Sequence, residues 1–197
     1  MRIGSPGKLS MVDIIPGEQF FREIIHDDLS IGGYMSVVLY PRSQDIAENY
    51  QICRRALREN LGVEKNMLAI LSNASAILNY YLDDINWVGF YLAGEDDLVL
   101  GPFQGLPACP RLLHGEGVCM AAYLSGEMVN VPDVEAFPGH IACDSASRSE
   151  IVFPIRIDGE IVGVLDIDSP KLNRFQDEDE TGLASCVRVI QAMLGRE

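Results

Sequence analysis

The chain has 197 residues, of which 48% are hydrophobic and 22% charged, with a formal net charge of −14. That size and composition fit one globular domain whose core needs no disulfide staples. The acidic balance excludes a phosphate-tracking nucleic-acid surface, and no apolar run reaches the roughly 20 residues of a membrane span.

The opening MRIGSPGKLS has no apolar stretch behind its charges, so no secretory signal is expected and the chain is assigned to the cytoplasm. Residues 1–42 show no sustained period. IGGYMSVVLYP has the composition of a short strand, but Gly and Pro interrupt it, and 1–42 read as an N-terminal extension to a domain at 43–197. Helical spacing then begins with Ile46, Tyr50, Cys53 and Leu57, with Ser43 as the expected N-cap. A second helical stripe runs through Met67, Leu68, Leu71, Ala74, Ile77, Leu78 and Tyr81, beyond a stop signal at Gly62.

Residues 85–92 are rich in β-formers and put Trp87, Gly89 and Tyr91 on one face, with Val88, Phe90 and Leu92 on the other for packing against helices. A turn at 94–97 leads to a second strand around 98–101. From 102 to 149 the chain is irregular and Gly/Pro-punctuated, apart from a short helix expected at 118–125. A stretch of that length in a compact domain points to function. A hairpin follows, Ile151–Ile157 and Glu160–Ile167 around the turn Asp158-Gly159. A last helix starts at Asp177, with Glu180 in capping-box position and Leu183, Val187, Ile190 and Leu194 facing the core. The plan is α+β with a largely antiparallel sheet.

The chemistry-bearing residues allow several readings. Of five cysteines, Cys53 and Cys186 lie in helical segments, where a small apolar side chain is explanation enough. Cys109, Cys119 and Cys143 fall in the irregular region, where a thiol can be accessible and mobile; inert core thiols, a metal site and redox chemistry all remain open. Three cysteines with His140 offer four zinc ligands, but the paired C-x₂₋₄-C unit of structural zinc is missing, and no metal is expected. His140, three residues before Cys143, also permits a Cys/His nucleophile pair. Trp87 and Tyr91 are core aromatics or the wall of a pocket. Asp166 and Asp168 alternate with Leu165 and Ile167, which reads as a solvated face or as an anionic cradle. Ideal two-residue hairpin register sets Glu150 across from Ile167, on the face opposite those aspartates. A bulge or bend near Pro154, which cannot donate to the ladder, is expected to re-aim it. Arg148 is open between a substrate contact and a surface ion pair. Asp144 carries no assignment.

The motifs NWVGFYL (86–92), LGPFQGLPAC (100–109), GVC (117–119), VPDVEAFPGHIACDSAS (131–147), SEIVFP (149–154) and GVLDIDSP (163–170) closely resemble the free methionine-(R)-sulfoxide reductase family of GAF domains. The looser likeness covers about 45–194. The resemblance implies a single GAF domain at 43–197 that reduces free methionine (R)-sulfoxide. In it Cys143 attacks, Cys119 resolves, Cys109 is an alternative resolving thiol, and Glu150 is a proton donor. Trp87, Tyr91, Asp166 and Asp168 form the substrate pocket. It further implies thioredoxin as reductant, a homodimer, and no cofactor. The sequence departs from the family at Glu116, usually basic, and at Met120, usually glycine; Met120 is expected to narrow the pocket or alter the Cys119 loop. The competing class is a non-catalytic GAF sensor of a small molecule or nucleotide, against which the cysteine triplet argues.

Overall fold

A computed structural model describes residues 37–113, 115–139 and 145–195. Two helices open the domain, α1 (Ile46–Leu61) and α2 (Met67–Tyr81). Strands β1 (Trp87–Ala93), β2 (Asp97–Gly105) and β3 (Arg111–Leu113) follow. Next come a short helix α3 (Val118–Ser125), strand β4 (Val129–Val131) and a 3₁₀ turn at Val134–Ala136. The hairpin β5 (Ser149–Ile157) and β6 (Glu160–Ser169) leads to the last helix α4 (Asp177–Leu194). The six strands form one sheet in the order β3-β2-β1-β6-β5-β4, with every neighbouring pair antiparallel. No described helix is long and apolar enough to cross a membrane.

Period-2 alternation divides the sheet into two unlike faces. On one face Val88, Phe90, Ile151, Phe153, Ile155, Leu165 and Ile167 join the buried stripes of α1, α2 and α4 in a large apolar core. On the other, Trp87, Tyr91, Val152 and Val164 pack with Val118, Cys119, Met120 and Ala122 of α3. The assignment of Trp87 and Tyr91 to the face opposite Val88 and Phe90 holds.

The helix ends differ from expectation in detail. Asp45, not Ser43, caps α1, its side chain accepting from Glu48 N at 2.8 Å, while Ser43 Oγ donates to the Glu48 carboxylate. The α2 stripe begins at Ile70; Met67 and Leu68 are exposed because Asn66 caps the helix and its first turn precedes the core. In α4 the capping box pairs Gln176 with Asp179, and Glu180 accepts instead from Asn130 Nδ2 at 2.8 Å. The buried Asp179 carboxylate also accepts from Tyr50 (2.7 Å) and pairs with Arg174 (2.9 Å), joining α1 to the start of α4.

Residues 37–42, which the sequence assigns to an extension, form no strand. Val38 N donates to Asn60 Oδ1 of α1, and Tyr40 N to Tyr81 Oη of α2. In the middle region β2 runs to Gly105, and the short strands β3 and β4 pair at the two sheet edges. Both escaped the sequence reading because three residues carry too little alternation to register. The helix at 118–125 and the hairpin turn hold, with Asp158 (φ 52) and Gly159 (φ 89) in the left-handed region that a type I′ turn requires.

Candidate active site

The register of β5 on β6 builds this site. Next to the turn Ile157 faces Glu160 and Arg156 faces Ile161, as ideal hairpin geometry dictates. The pairing then slips by one residue between Ile155 and Arg156, so that Ile155 faces Gly163 and Val162 is the extra residue on β6. From there Pro154 faces Val164, Val152 faces Asp166 and Glu150 faces Asp168. The expected bulge near Pro154 is therefore present, and it moves Glu150 to the face of Asp166 and Asp168.

Two rows of side chains cross the sheet on that face. Trp87, Asp168, Glu150 and Val131 are consecutive partners across β1, β6, β5 and β4. Gly89, Asp166 and Val152 form the neighbouring row, with Phe103 of β2 beyond Gly89. Gly89 is required here, since a Cβ would lie 2.3 Å from Phe103 Cβ and 2.5 Å from the Trp87 ring. Its bare backbone lets three aromatics stack: Trp87 lies 5.3 Å from Phe103 and 5.9 Å from Tyr91 between ring centroids. Trp87 Nε1 donates to Leu106 O (3.2 Å) and the Tyr91 hydroxyl to Cys109 O (3.0 Å), so both polar ends are satisfied. Phe103 was missed by the sequence reading, which ended β2 early. The signal that would have found it is the glycine two residues from each of Trp87 and Tyr91.

Helix α3 lies over this face and delivers Cys119 from its first turn. The thiol is buried rather than accessible, and Sγ lies 3.9 Å from Glu150 Oε1. Cys119, Glu150 and Asp166 present donor atoms all within 4.8 Å of one another, and all three residues are buried. For Asp166, 6% exposed, the solvated-face reading is overturned. Its Oδ1 has no hydrogen-bond partner among the described residues. Asp168 and Cys109 are half-buried, and Arg148 is exposed.

Burial of three acidic groups together raises their proton affinity. Desolvation pushes the Glu150 carboxyl well above its usual range, and the neighbouring Asp166 and Asp168 push it further. Desolvation also lifts Asp166 to about 6, against the lowering effect of hydrogen bonds from Cys119 and Glu150. The Cys119 thiol is raised well above its ordinary value by burial and then by the carboxylates of Asp166 and Glu150. Near neutral pH the cluster therefore retains protons that an exposed pair of carboxylates would have lost. A neutral carboxylic acid held against an apolar aromatic wall can donate a proton to a bound acceptor.

Cys143, His140 and Asp144 lie outside the described residues, and with them the four-ligand zinc set and the Cys/His pair. Among the described residues the converging metal-type donors are Cys119, Glu150 and Asp166.

The GAF domain model matches residues 45–192. Protein YtsP of Bacillus subtilis is 51% identical over 157 residues, covering 79% of this chain and 96% of the relative. The free methionine-R-sulfoxide reductase of Escherichia coli is 48% identical over 147 residues, covering 75% and 89%. The chain belongs to the free methionine-R-sulfoxide reductase family of GAF domains. A solved structure of the Neisseria meningitidis family member in complex with its substrate superposes with a TM-score of 0.77 at 39% identity, over 81% of this chain and 96% of that one. The single-domain α+β GAF fold expected from the motifs is thus the fold observed.

Proposed function

We propose that this chain reduces free methionine (R)-sulfoxide to methionine through thiol and disulfide chemistry on the α3 face of the sheet. The carrying observation is the buried convergence of Cys119, Glu150 and Asp166 beside the stacked Trp87 and Tyr91, in a chain 48% identical to a reductase of that name. A non-catalytic sensor has no need of a thiol set against two protonatable carboxyls at the cost of desolvating all three.

In this reading the aromatic wall receives the S-methyl group, and Asp166 with Asp168 draws the substrate ammonium. The Cys143 thiolate attacks the sulfoxide sulfur, and the protonated Glu150–Asp166 pair supplies a proton to the sulfoxide oxygen. Methionine departs as the oxygen passes to Cys143, leaving a sulfenic acid there. The Cys119 thiol then attacks that sulfenic sulfur, a disulfide forms and water leaves. Cys109 is an alternative resolving thiol, its backbone held by Tyr91. Thioredoxin in the cytoplasm reduces the disulfide by exchange and is itself oxidised, returning both thiols. A homodimer is the proposed assembly.

The test uses the full chain with dithiothreitol and racemic methionine sulfoxide. The expected result is consumption of no more than half the sulfoxide, all of it the R epimer, with Cys143→Ser inactive. Cys119→Ser is expected to complete one reduction per site and then recycle slowly on thioredoxin. Sulfoxide left untouched by the wild-type chain would overturn the activity, and full turnover by Cys143→Ser would overturn the nucleophile. Peptide-internal methionine sulfoxide is expected to react poorly, and equal rates on it would remove the ammonium role from the aspartates.

A further inference from the structure

The trio of Cys119, Glu150 and Asp166 has a second chemical identity besides that of a proton store. One sulfur and two carboxylate donors, all within 4.8 Å of one another, form one face of a tetrahedral coordination shell. Zinc bonds of about 2.3 Å to sulfur and 2.0 Å to oxygen require a sulfur–oxygen separation near 3.5 Å. The observed distance from Cys119 Sγ to Glu150 Oε1 is 3.9 Å, so inward rotation of the side chains would bring the three donors to bonding separation and leave the fourth position to water. Asp168, the cross-strand partner of Glu150, adds a further carboxylate to the same face. Independently, Asp166 Oδ1 is a buried acceptor on a side chain more than nine-tenths buried, without a partner among the described residues. A cation answers all of these features at once.

We propose that Cys119, Glu150 and Asp166 bind one borderline-soft divalent cation, with Zn²⁺ and Cd²⁺ as the fitting members, and that the ion excludes substrate. The thiolate disfavours Mg²⁺ and Ca²⁺, which prefer all-oxygen shells. This donor set differs from the three cysteines and His140 that the sequence offered, because the β5–β6 bulge brings in two carboxylates that linear spacing cannot show. Binding displaces protons from the thiol and from whichever carboxyl holds one, and they pass to solvent. The ion is inhibitory: it holds Cys119 as a metal thiolate and occupies the carboxylates that would otherwise meet the substrate. Only that inhibitory consequence rests on the function proposed above; the binding itself does not.

The experiment titrates the reduced full chain with Zn²⁺ by calorimetry in two buffers of different ionisation enthalpy, and with Cd²⁺ by ultraviolet absorption. Expected are one tight ion per chain, net proton release, and a sulfur-to-cadmium charge-transfer band. Cys119→Ser is expected to lose that band and at least tenfold in affinity. Asp166→Asn is expected to lose at least tenfold in affinity but to keep the band at saturation, while Cys109→Ser binds as wild type. In Cys143→Ser, which cannot turn the substrate over, added methionine sulfoxide raises the apparent dissociation constant of the metal. An undiminished band and affinity in Cys119→Ser would overturn the assignment. If circular dichroism shows Cys119→Ser to be unfolded, Asp166→Asn decides, and wild-type affinity in it overturns the site. A chain that binds metal as proposed but reduces no sulfoxide would leave the site standing and remove the function, so the two failures are separable.

Discussion

The two faces of the sheet are built from alternate residues of the same strands, yet they have opposite chemistry. On β6, Leu165 and Ile167 enter a dry core against α1, α2 and α4, while Asp166 and Asp168 point to the face covered by α3. On β5, Ile151 and Phe153 oppose Glu150 and Val152 in the same way. Each face holds buried thiols, and their surroundings differ as sharply. Cys53 of α1 and Cys186 of α4 lie 3.9 Å apart in an apolar interface, whereas Cys119 meets two carboxyls. Stability resides mainly on the first face. The second keeps buried acidic groups at a cost to stability, as expected of a site.

The largest expected separation between the faces is kinetic. Glu150→Gln keeps size and hydrogen bonding but holds no transferable proton. Proton donation of this kind contributes on the order of 10²–10⁴ in rate, and a loss of that size in kcat/KM is expected, with the melting temperature held or raised. With Glu150 as the proposed donor, the alkaline limb of the pH–rate profile would report loss of the proton it shares with Asp166, and it is expected to vanish in the variant. Wild-type rates, or a loss matched by unfolding, would return Glu150 to a structural role.

Neighbours on one strand give the next contrast. Leu165 is fully buried, and Leu165→Ala is expected to cost about 2–5 kcal/mol, read by denaturant unfolding. Asp166→Asn is expected to act in the opposite direction. The Asp166 carboxyl is raised to about 6 in the folded chain, so the folded state binds the proton more tightly than the unfolded state. The stability from this group is therefore fully present only below the unfolded value of 3.8 and is lost as pH rises through 6. At about 1.4 kcal/mol per pKa unit, the loss by pH 7 is about 3 kcal/mol. Removing the ionisable oxygen flattens that slope and raises stability at pH 7, less the cost of any amide hydrogen bond left unmade. A wild-type pH slope retained in Asp166→Asn would show that the charge is not borne there.

The faces themselves were legible in the sequence, because alternation in NWVGFYL and VLDID is a direct image of a strand between two environments. Position in register was legible only as a conflict. Glu150 had to cross to the other side of β5 to join Asp166, and Pro154 suggested where the ladder would give. The extra residue lies on the opposite strand, at Val162 beside Gly163, and a glycine inside a strand pattern is the bulge signal that the reading left unused. The edge strands β3 and β4 were illegible for a related reason: their pairing is long-range and their own patterns are too short to carry it. That Cys119 is buried within the helix expected at 118–125, and not accessible, follows from α3 packing onto the sheet, a tertiary fact that GVCMAAYLS states only as apolarity.

One substitution made on both faces gives the smallest effect and the sharpest test. Cys186→Ser places a hydroxyl in an apolar helix interface at 0% exposure, with Cys53 Sγ 3.9 Å from the position of the present sulfur. An unsatisfied buried hydroxyl costs about 1–3 kcal/mol, reduced if the serine turns back to a carbonyl of its own helix. Stability should fall by about that much, with kcat/KM unchanged. Cys119→Ser places the same hydroxyl beside Glu150, which can accept its proton, so the stability cost should be smaller while recycling by thioredoxin slows. The paired measurement is unfolding free energy against steady-state turnover for both variants. Equal losses of stability would mean that the carboxyls do not soften the α3 face for polar groups, and the contrast between the two faces would then lie in side-chain identity alone.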